Sequence, residues 1–287
     1  MSLRRHFKFL CNFATISRVK VTATIITYDE EKNIPDAIGS VRWADEIIVV
    51  DSGSADRTRE IAEKLGAKVY VNPWPGFSAQ KQFAVEKASN DWIFSLDADE
   101  RVSDDLKDEI AIILNSDNKA DGYKIPRLAY YMGRAIRHGG WYPDRQLRLF
   151  DRRKGHWKDV RVHETIEMDP GARVEVLNGH ILHFSVEGPR EHHEMIGERY
   201  APLAAEQMLA NGRRTSPLNA AAAGVAAFIR SYFLKTGFLD GFPGLCVAYF
   251  AAHHAVMKHL ILLELQDSLE TQNSAATTNE QPGSSNV

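Results

Sequence analysis

The sequence predicts an α/β protein built on a mostly parallel sheet, and three observations carry that expectation. Short β-branched and apolar runs alternate with helix-patterned stretches, as in βαβ units. The run through Trp92, Ile93, Phe94 and Leu96 is apolar on both faces, as strands covered on both sides are. The runs also end in acidic or hydroxyl residues, which suits the carboxyl edge of such a sheet, where ligands bind.

VTATIITY, residues 21–28, reads as the first strand; Asn33 and Pro35 then open a helix to about Trp43. EIIVV at 46–50 is the second strand and ends at Asp51, with a Ser52-Gly53-Ser54 turn leading to a helix that stops at Gly66. KVYVN at 68–72 is the third, followed by a Pro-rich turn and a helix over 78–88. In WIFSLDADE, 92–100, the apolar Trp92, Ile93, Phe94 and Leu96 give way to Asp97, Asp99 and Glu100. Two Asp one residue apart at a strand end can offer oxygens to a hard divalent cation. The plain alternative is an acidic turn before the next helix, with Ser103 as its N-cap and Asp104 and Asp105 in its first turn.

Residues 121–185 form shorter runs broken by Gly, Pro and charge, and are expected to continue the sheet in irregular or antiparallel fashion. Helical patterns cover 190–211, 217–235 and 243–266. The expected organisation is a basic extension at 1–19, an α/β domain at 20–189, a membrane-associated helical region at 190–266 and a disordered tail at 267–287. A helical bundle without membrane contact is the alternative for the third part.

The chain has 287 residues, 44% of them hydrophobic and 25% charged, enough for a large core. A formal net charge of -3 gives no drive toward nucleic acid, so none is expected as a partner. Arg4, Arg5, Lys8, Arg18 and Lys20 stand at the N-terminal end without an acid, which suits either an anionic membrane surface or a frayed tail. Cys11 and Cys246 are far apart and imply no disulfide framework or zinc knuckle, in keeping with a reducing cytoplasm. Lys8 interrupts the run from Phe7 to Phe13 and no cleavage site follows, so no signal peptide is expected. The uncharged run Gly241–Met257 is shorter than the roughly 18 residues of a membrane span. Its helices are therefore expected to lie at an interface.

A nucleotide needs polar groups for its base and ribose, an apolar wall, and a cation for its diphosphate. Tyr28, Asp51 and the Asp97/Asp99 pair meet that list at three strand ends. Each alone is weak, because strand ends commonly carry turn-forming Asp and Ser.

The stretches TIITYDEEKNIPDAIGSV, EIIVVDSGSADRT and DWIFSLDADE resemble the donor domain of family 2 glycosyltransferases. HGGWYPDRQLRLFDRR, VHETIE and LHFS resemble the lipopolysaccharide core β-1,4-glucosyltransferase subgroup, and the resemblance covers about 21–265. It implies a GT-A fold and an inverting, Mg²⁺- or Mn²⁺-dependent transferase that uses a nucleotide sugar, UDP-glucose, and a lipid-linked saccharide acceptor. It places the protein on the cytoplasmic face of the inner membrane, acting on a heptose of the inner core. Asp29 stands where the family usually has Asn.

Carried onto this sequence, Thr27, Tyr28, Glu30 and Asp51 hold uracil and ribose, and Lys81 lies near the donor. Asp97 meets the ribose or sugar; Asp99 ligates the metal, with His183 as a further ligand. Arg148 and the Arg152, Arg153, Lys154 cluster would bind diphosphate or acceptor phosphate. Glu164 is the expected general base and Asp144 its competitor. Plainer readings stand beside these: a solvated helix Lys for Lys81, a solvated basic loop at 152–154, and salt bridges to Arg145, Arg148 or Arg161 for the two carboxylates. The eleven His contain no HExxH arrangement, and His253 and His254 are expected to be structural or interfacial. A polyprenyl phosphate or protein acceptor, and a non-catalytic nucleotide-sugar binder, are the alternative functions.

Overall fold

The computed structural model describes residues 19–158 and 164–279. The basic extension up to Arg18 and the last part of the expected tail, 280–287, lie outside the described residues. In chain order the elements begin β1 Val21–Thr27, α1 Ile34–Ser40, β2 Glu46–Asp51, α2 Thr58–Lys64, β3 Lys68–Val71, α3 Phe77–Lys87 and β4 Trp92–Asp97. They continue with β5 Glu100–Val102, α4 Asp104–Leu114, β6 Gly122–Tyr131, β7 Arg134–Ala135, β8 Asp144–Asp151, β9 Gly155–Trp157, β10 Ile166–Met168, β11 Val174–Val176 and β12 Ile181–His183. The rest is helical: α5 Pro189–Met195, a π-helical turn Ile196–Tyr200, α6 Ala201–Ala210, α7 Pro217–Ile229, a second π turn Arg230–Leu234, a 3₁₀ turn Gly237–Asp240 and α8 Gly241–Asn279. The described residues fall into two compact units, one of 19–125 and 146–181, the other of 126–145 and 182–279.

In the first unit β1 runs parallel to both β2 and β4, and β2 is parallel to β3. The main path of the sheet is β3-β2-β1-β4-β8-β6-β12-β5, with β8 antiparallel to β4 and with β11 and β7 each pairing β6 off that path. The chain therefore moves outward from β1 to β3 and resumes on the other side of β1, which makes the β1/β4 boundary a topological switch point. Successive residues feed two cores: Ile25, Val49, Phe94 and Leu96 join one cluster, while Ile26, Ile48, Val50 and Ile93 join the other. That double burial is why these strands carry apolar side chains on both faces.

Ser103 caps α4 as expected, accepting a bond from the Leu106 amide at 3.3 Å. The same residue ties the α4 start to the loop before β12, because His180 N donates to Ser103 Oγ at 3.1 Å and Ser103 N donates to His180 O at 3.0 Å. Glu109 accepts from the Asn178 and Gly179 amides at 3.0 and 2.9 Å. Gly179 is there because a Cβ would collide with the Leu106 backbone, 2.5 Å from its nitrogen. His180 precedes the short strand β12, and His183 is the last residue on it.

In the second unit the helices keep close to their expected limits, except that α8 runs on to Asn279, well past 266. The stretch Gly237–Thr271 is long and apolar enough to cross a membrane, a requirement the uncharged run alone does not meet. It also packs inward, burying Val247, Ala248, Phe250, Ala255 and Leu262. His192 lies 4.3 Å from the Phe250 ring, and His193 stacks on His253 at 5.1 Å. Burial, then the neighbouring His253 and His254, push the His192 pKa down to about 4. Burial first, then nearby positive charge, lowers His253 and His254 as well.

Two outcomes follow from this packing. Gly179→Ala should cost about 2 kcal/mol, read as a lower denaturation midpoint, since overpacking costs about 1–3 kcal/mol. These His have folded pKa values below the unfolded value of 6.5, so their stabilisation is complete above that pH and is lost as pH falls toward about 4. Melting temperature should accordingly be level above neutrality and decline on acidification, and His192→Gln should flatten that decline.

Candidate active site

The strand register brings three expected site residues to one level of the sheet edge. Thr27 is paired across to Asp51 and Ile26 to Asp97. The Thr27 hydroxyl is buried and, among the described residues, has no hydrogen-bond partner. Tyr28, the next residue, is 59% exposed and presents a free aromatic face. Asp29 has φ 52°, a left-handed conformation that favours Gly, Asn and Asp. The Asp in place of Asn is therefore compatible with the turn, and its Oδ1 accepts the Ala55 amide at 2.7 Å.

Asp51 is fully buried and organises the loop after it. Its Oδ1 accepts the Gly53 and Ser54 amides, each at 2.9 Å, and its Oδ2 accepts the Ser54 hydroxyl. Ser54 Oγ in turn accepts the Asp29 amide at 2.9 Å, which joins the β1 and β2 loops. Gln80 on α3 extends this frame, donating to Ser52 Oγ at 3.0 Å and accepting from Asn72 at 2.8 Å.

Lys81, one residue on, is 2% exposed, so it is not a solvated helix Lys. Its Nζ lies 3.0 Å from Asp97 and 3.5 Å from Glu164, and 5.0 Å from the Trp157 ring centroid. Arg148 is also buried, and its Nη2 reaches Asp97 at 3.0 Å and Glu100 at 2.9 Å. Glu100 additionally accepts the Asp97 amide at 2.9 Å. Two cations thus face three carboxylates. Burial by itself would raise the Asp97 pKa, but Lys81 and Arg148 outweigh it and hold the carboxyl well below the usual range. Burial likewise opposes charge on Arg148, and Glu100 with Asp97 raises its pKa above the ordinary value.

The Nη2 of Arg148, the residue expected to reach a phosphate, bonds Asp97 and Glu100, while its Nε and Nη1 are buried and, among the described residues, have no hydrogen-bond partner. Arg152 donates to the last carbonyls of α3, Val85 at 3.0 Å and Ala88 at 2.8 Å, and Arg153 pairs with Asp151 and Asp91. The basic cluster is therefore structural in large part. Glu100 was visible in the acidic run but had no expected role, and Trp157 sits in a three-residue strand without any pattern to mark it.

Glu30 and Asp99 form a second acidic pair. Burial, then the Asp99 and Asp56 charges, raise the Glu30 pKa despite a 2.7 Å bond from Asn33 and the nearby Arg101 guanidinium. A dication there would relieve that repulsion, and carboxylate oxygens are the donors that Mg²⁺ and Mn²⁺ prefer. These residues fit such an ion. Among the described residues no group of three or more His, Cys, Asp or Glu could hold a metal unaided.

Asp144 and His183 belong to the second unit, where both line a cavity of about 410 Å³ together with Arg127, Trp141, His192 and Tyr200. Asp144 pairs with Arg127 at 2.7 Å, a partner outside the three arginines of the plainer reading, of which Arg161 lies outside the described residues.

A family model described as Glycosyl transferase family 2 matches residues 22–178. The chain is 31% identical to an uncharacterised glycosyltransferase of Rickettsia typhi over 91% of each chain. It is 29% identical to the lipopolysaccharide core biosynthesis glycosyltransferase LpsC of Rhizobium meliloti, over 86% of this chain and 95% of that one. Among solved structures it resembles S. aureus TarS 1-349, with a TM-score of 0.42, 14% identity and coverage of 87% and 92% of the two chains. The matched span runs from β1 past β11 and takes in the parallel strands, the switch point and its acidic edge, and on that basis the chain belongs to glycosyl transferase family 2 and has the GT-A fold.

Proposed function

We propose that the chain is an inverting, metal-dependent hexosyltransferase that moves glucose from UDP-glucose to a heptose of a lipopolysaccharide inner core, working as a peripheral protein at the membrane surface. One observation carries the reading: a single buried ammonium, Lys81, lies 3.0 Å from Asp97 and 3.5 Å from Glu164. It draws a donor-side carboxylate and a candidate base into one place at the sheet's carboxyl edge. The similarity to LpsC, whose name states lipopolysaccharide core biosynthesis, supports the choice of acceptor.

In this reading Tyr28 supplies a stacking face for uracil, and the orphan Thr27 hydroxyl finds its partner on the nucleotide. Asp51 shapes the loop beside them and Asp97 addresses the ribose or sugar. Asp99, with Glu30 nearby, would hold a divalent cation, which when bound stabilises negative charge on the departing diphosphate. The acceptor hydroxyl oxygen forms a bond to the anomeric carbon as the bond from that carbon to the diphosphate oxygen breaks. Glu164 takes the hydroxyl proton, a contribution of about 10²- to 10⁴-fold. Lys81 is a positioning residue, because it tethers Glu164 to Asp97.

The deciding measurement is transfer to lipopolysaccharide core acceptors, with polyprenyl phosphate and protein acceptors in parallel and UDP-glucose among a panel of donors. Glu164→Gln should retain the UDP-glucose-induced rise in melting temperature while losing about 10²- to 10⁴-fold in turnover. Full activity in that variant would remove Glu164 as the base and promote Asp144. Asp99→Ala should abolish the part of the UDP-glucose stabilisation that EDTA also removes. Lys81→Met leaves the partly buried Asp97 and Glu164 short of a cation and should lower stability by about 2 kcal/mol in denaturant melts.

A further inference from the structure

The second unit carries an apolar face that its own fold leaves uncovered. At the corner between α7 and α8, Phe233 is 55% exposed, Leu239 60% and Phe242 62%, with Leu234 and Phe238 exposed beside them. The face is contiguous. Tyr232 stands 5.1 Å from Phe233 and 6.2 Å from Phe238, ring to ring, and Phe228 is 5.4 Å from Tyr232. Phe228 also lines an apolar groove of about 470 Å³ between α7 and α8, next to Ile229 and the exposed Tyr249.

The corner is built to hold this shape. A Cβ at Gly237 would stand 2.7 Å from the Ser231 carbonyl oxygen, and one at Gly244 would strike the Gly237 carbonyl. Ser231 Oγ donates to Gly139 O at 3.0 Å, and Gly139 N donates to Lys235 O at 2.9 Å.

Charge selects the occupant. From residue 207 to 263 the sole acid is Asp240, against Arg213, Arg214, Arg230, Lys235 and Lys258. Asp240 is turned inward, accepting from the Arg137 and His138 amides at 3.1 and 2.8 Å and pairing with the His138 ring at 2.8 Å. Arg230 and Lys235 are exposed within the apolar corner, and the Arg134 guanidinium lies beside Gly241 at its edge. Exposed aromatic and aliphatic residues fringed by cations, with no exposed acid between, match the boundary between acyl chains and anionic headgroups.

We propose that the α7–α8 corner is a membrane-docking surface that seats Phe233, Leu234, Phe238, Leu239 and Phe242 in an anionic lipid leaflet, with Arg230 and Lys235 at its phosphates. The helix lies on the membrane and does not span it, because the Val247, Phe250 and Leu262 stripe of α8 is buried against its own unit. The docking surface deepens the lipid-linked acceptor reading by naming the face that would meet the lipid. The Lys235 side chain also lies over Gly140, one of the residues lining the 410 Å³ cavity of the same unit.

The test is co-sedimentation of the full chain with vesicles, which needs neither donor nor acceptor and so can fail independently of the transferase reading. Binding should be strong on mixed phosphatidylcholine–phosphatidylglycerol vesicles, weak on phosphatidylcholine alone, and reversed by alkaline carbonate. Phe233→Ser/Phe238→Ser/Phe242→Ser should cut binding more than about tenfold at unchanged melting temperature, since all three side chains are exposed. Arg230→Glu/Lys235→Glu should abolish the preference for anionic lipid, each cation being worth about fivefold. Undiminished binding by the triple serine variant overturns the proposal. So does carbonate-resistant association, which would mark a spanning helix, or a dimer in light scattering that the serine variant dissolves while vesicles are ignored, which would give the face to a second copy.

Discussion

A buried ammonium must be answered by carboxylates, and in this chain that requirement organises the carboxyl edge of the sheet. Lys81 is on α3, Asp97 at the end of β4 and Glu164 in a loop far along the chain, and the one ammonium holds both carboxylates. Arg148 on β8 adds the second cation and Glu100 the third carboxylate, so the end of β4 is gripped from two sides. A carboxylate left here without its cations would carry the full desolvation cost, whereas the balanced set retains charge inside the protein. Asp97 accordingly stays ionised far below the ordinary range.

Around that network the loops after β1 and β2 are locked to one another by short polar residues. Asp51, Ser54 and Asp29 form a chain of bonds in which each hydroxyl or carboxylate answers a backbone amide. Two groups stay outside this economy. The Thr27 hydroxyl is buried with no partner among the described residues, and Glu30 is held near Asp99 with its pKa raised. Both lie beside the β1/β4 switch point of the sheet.

The second unit follows a different logic. Its inward-facing groups include several imidazoles kept neutral by burial, while its outward face at the α7–α8 corner is aromatic, aliphatic and basic. Asp240 shows the division in one residue, since the sole acid of that long stretch is spent on the His138 loop and leaves the outer charge positive.

The first four strands, their helices and the acidic strand ends were legible in the sequence because local patterning reports double burial directly. Apolar runs at 21–27, 46–51 and 92–97 need no knowledge of their neighbours to be read as sheet, and Ser103 declares a helix start in the same local way. The family could be read too, since its motifs are contiguous. What Lys81, Arg148 and Glu100 do could not, because a lysine on a helix has the same local sequence whether it faces water or a carboxylate 16 or 83 positions away. Sequence did not announce that Arg148 also meets the protein's own Asp97 and Glu100, and α8 outran its expected end because tail composition says little about a helix already nucleated upstream. Sequence by itself determined which segments are strands and helices, for that depends on near neighbours; tertiary structure alone decided which charges meet, for that depends on long-range burial that only the packed chain creates.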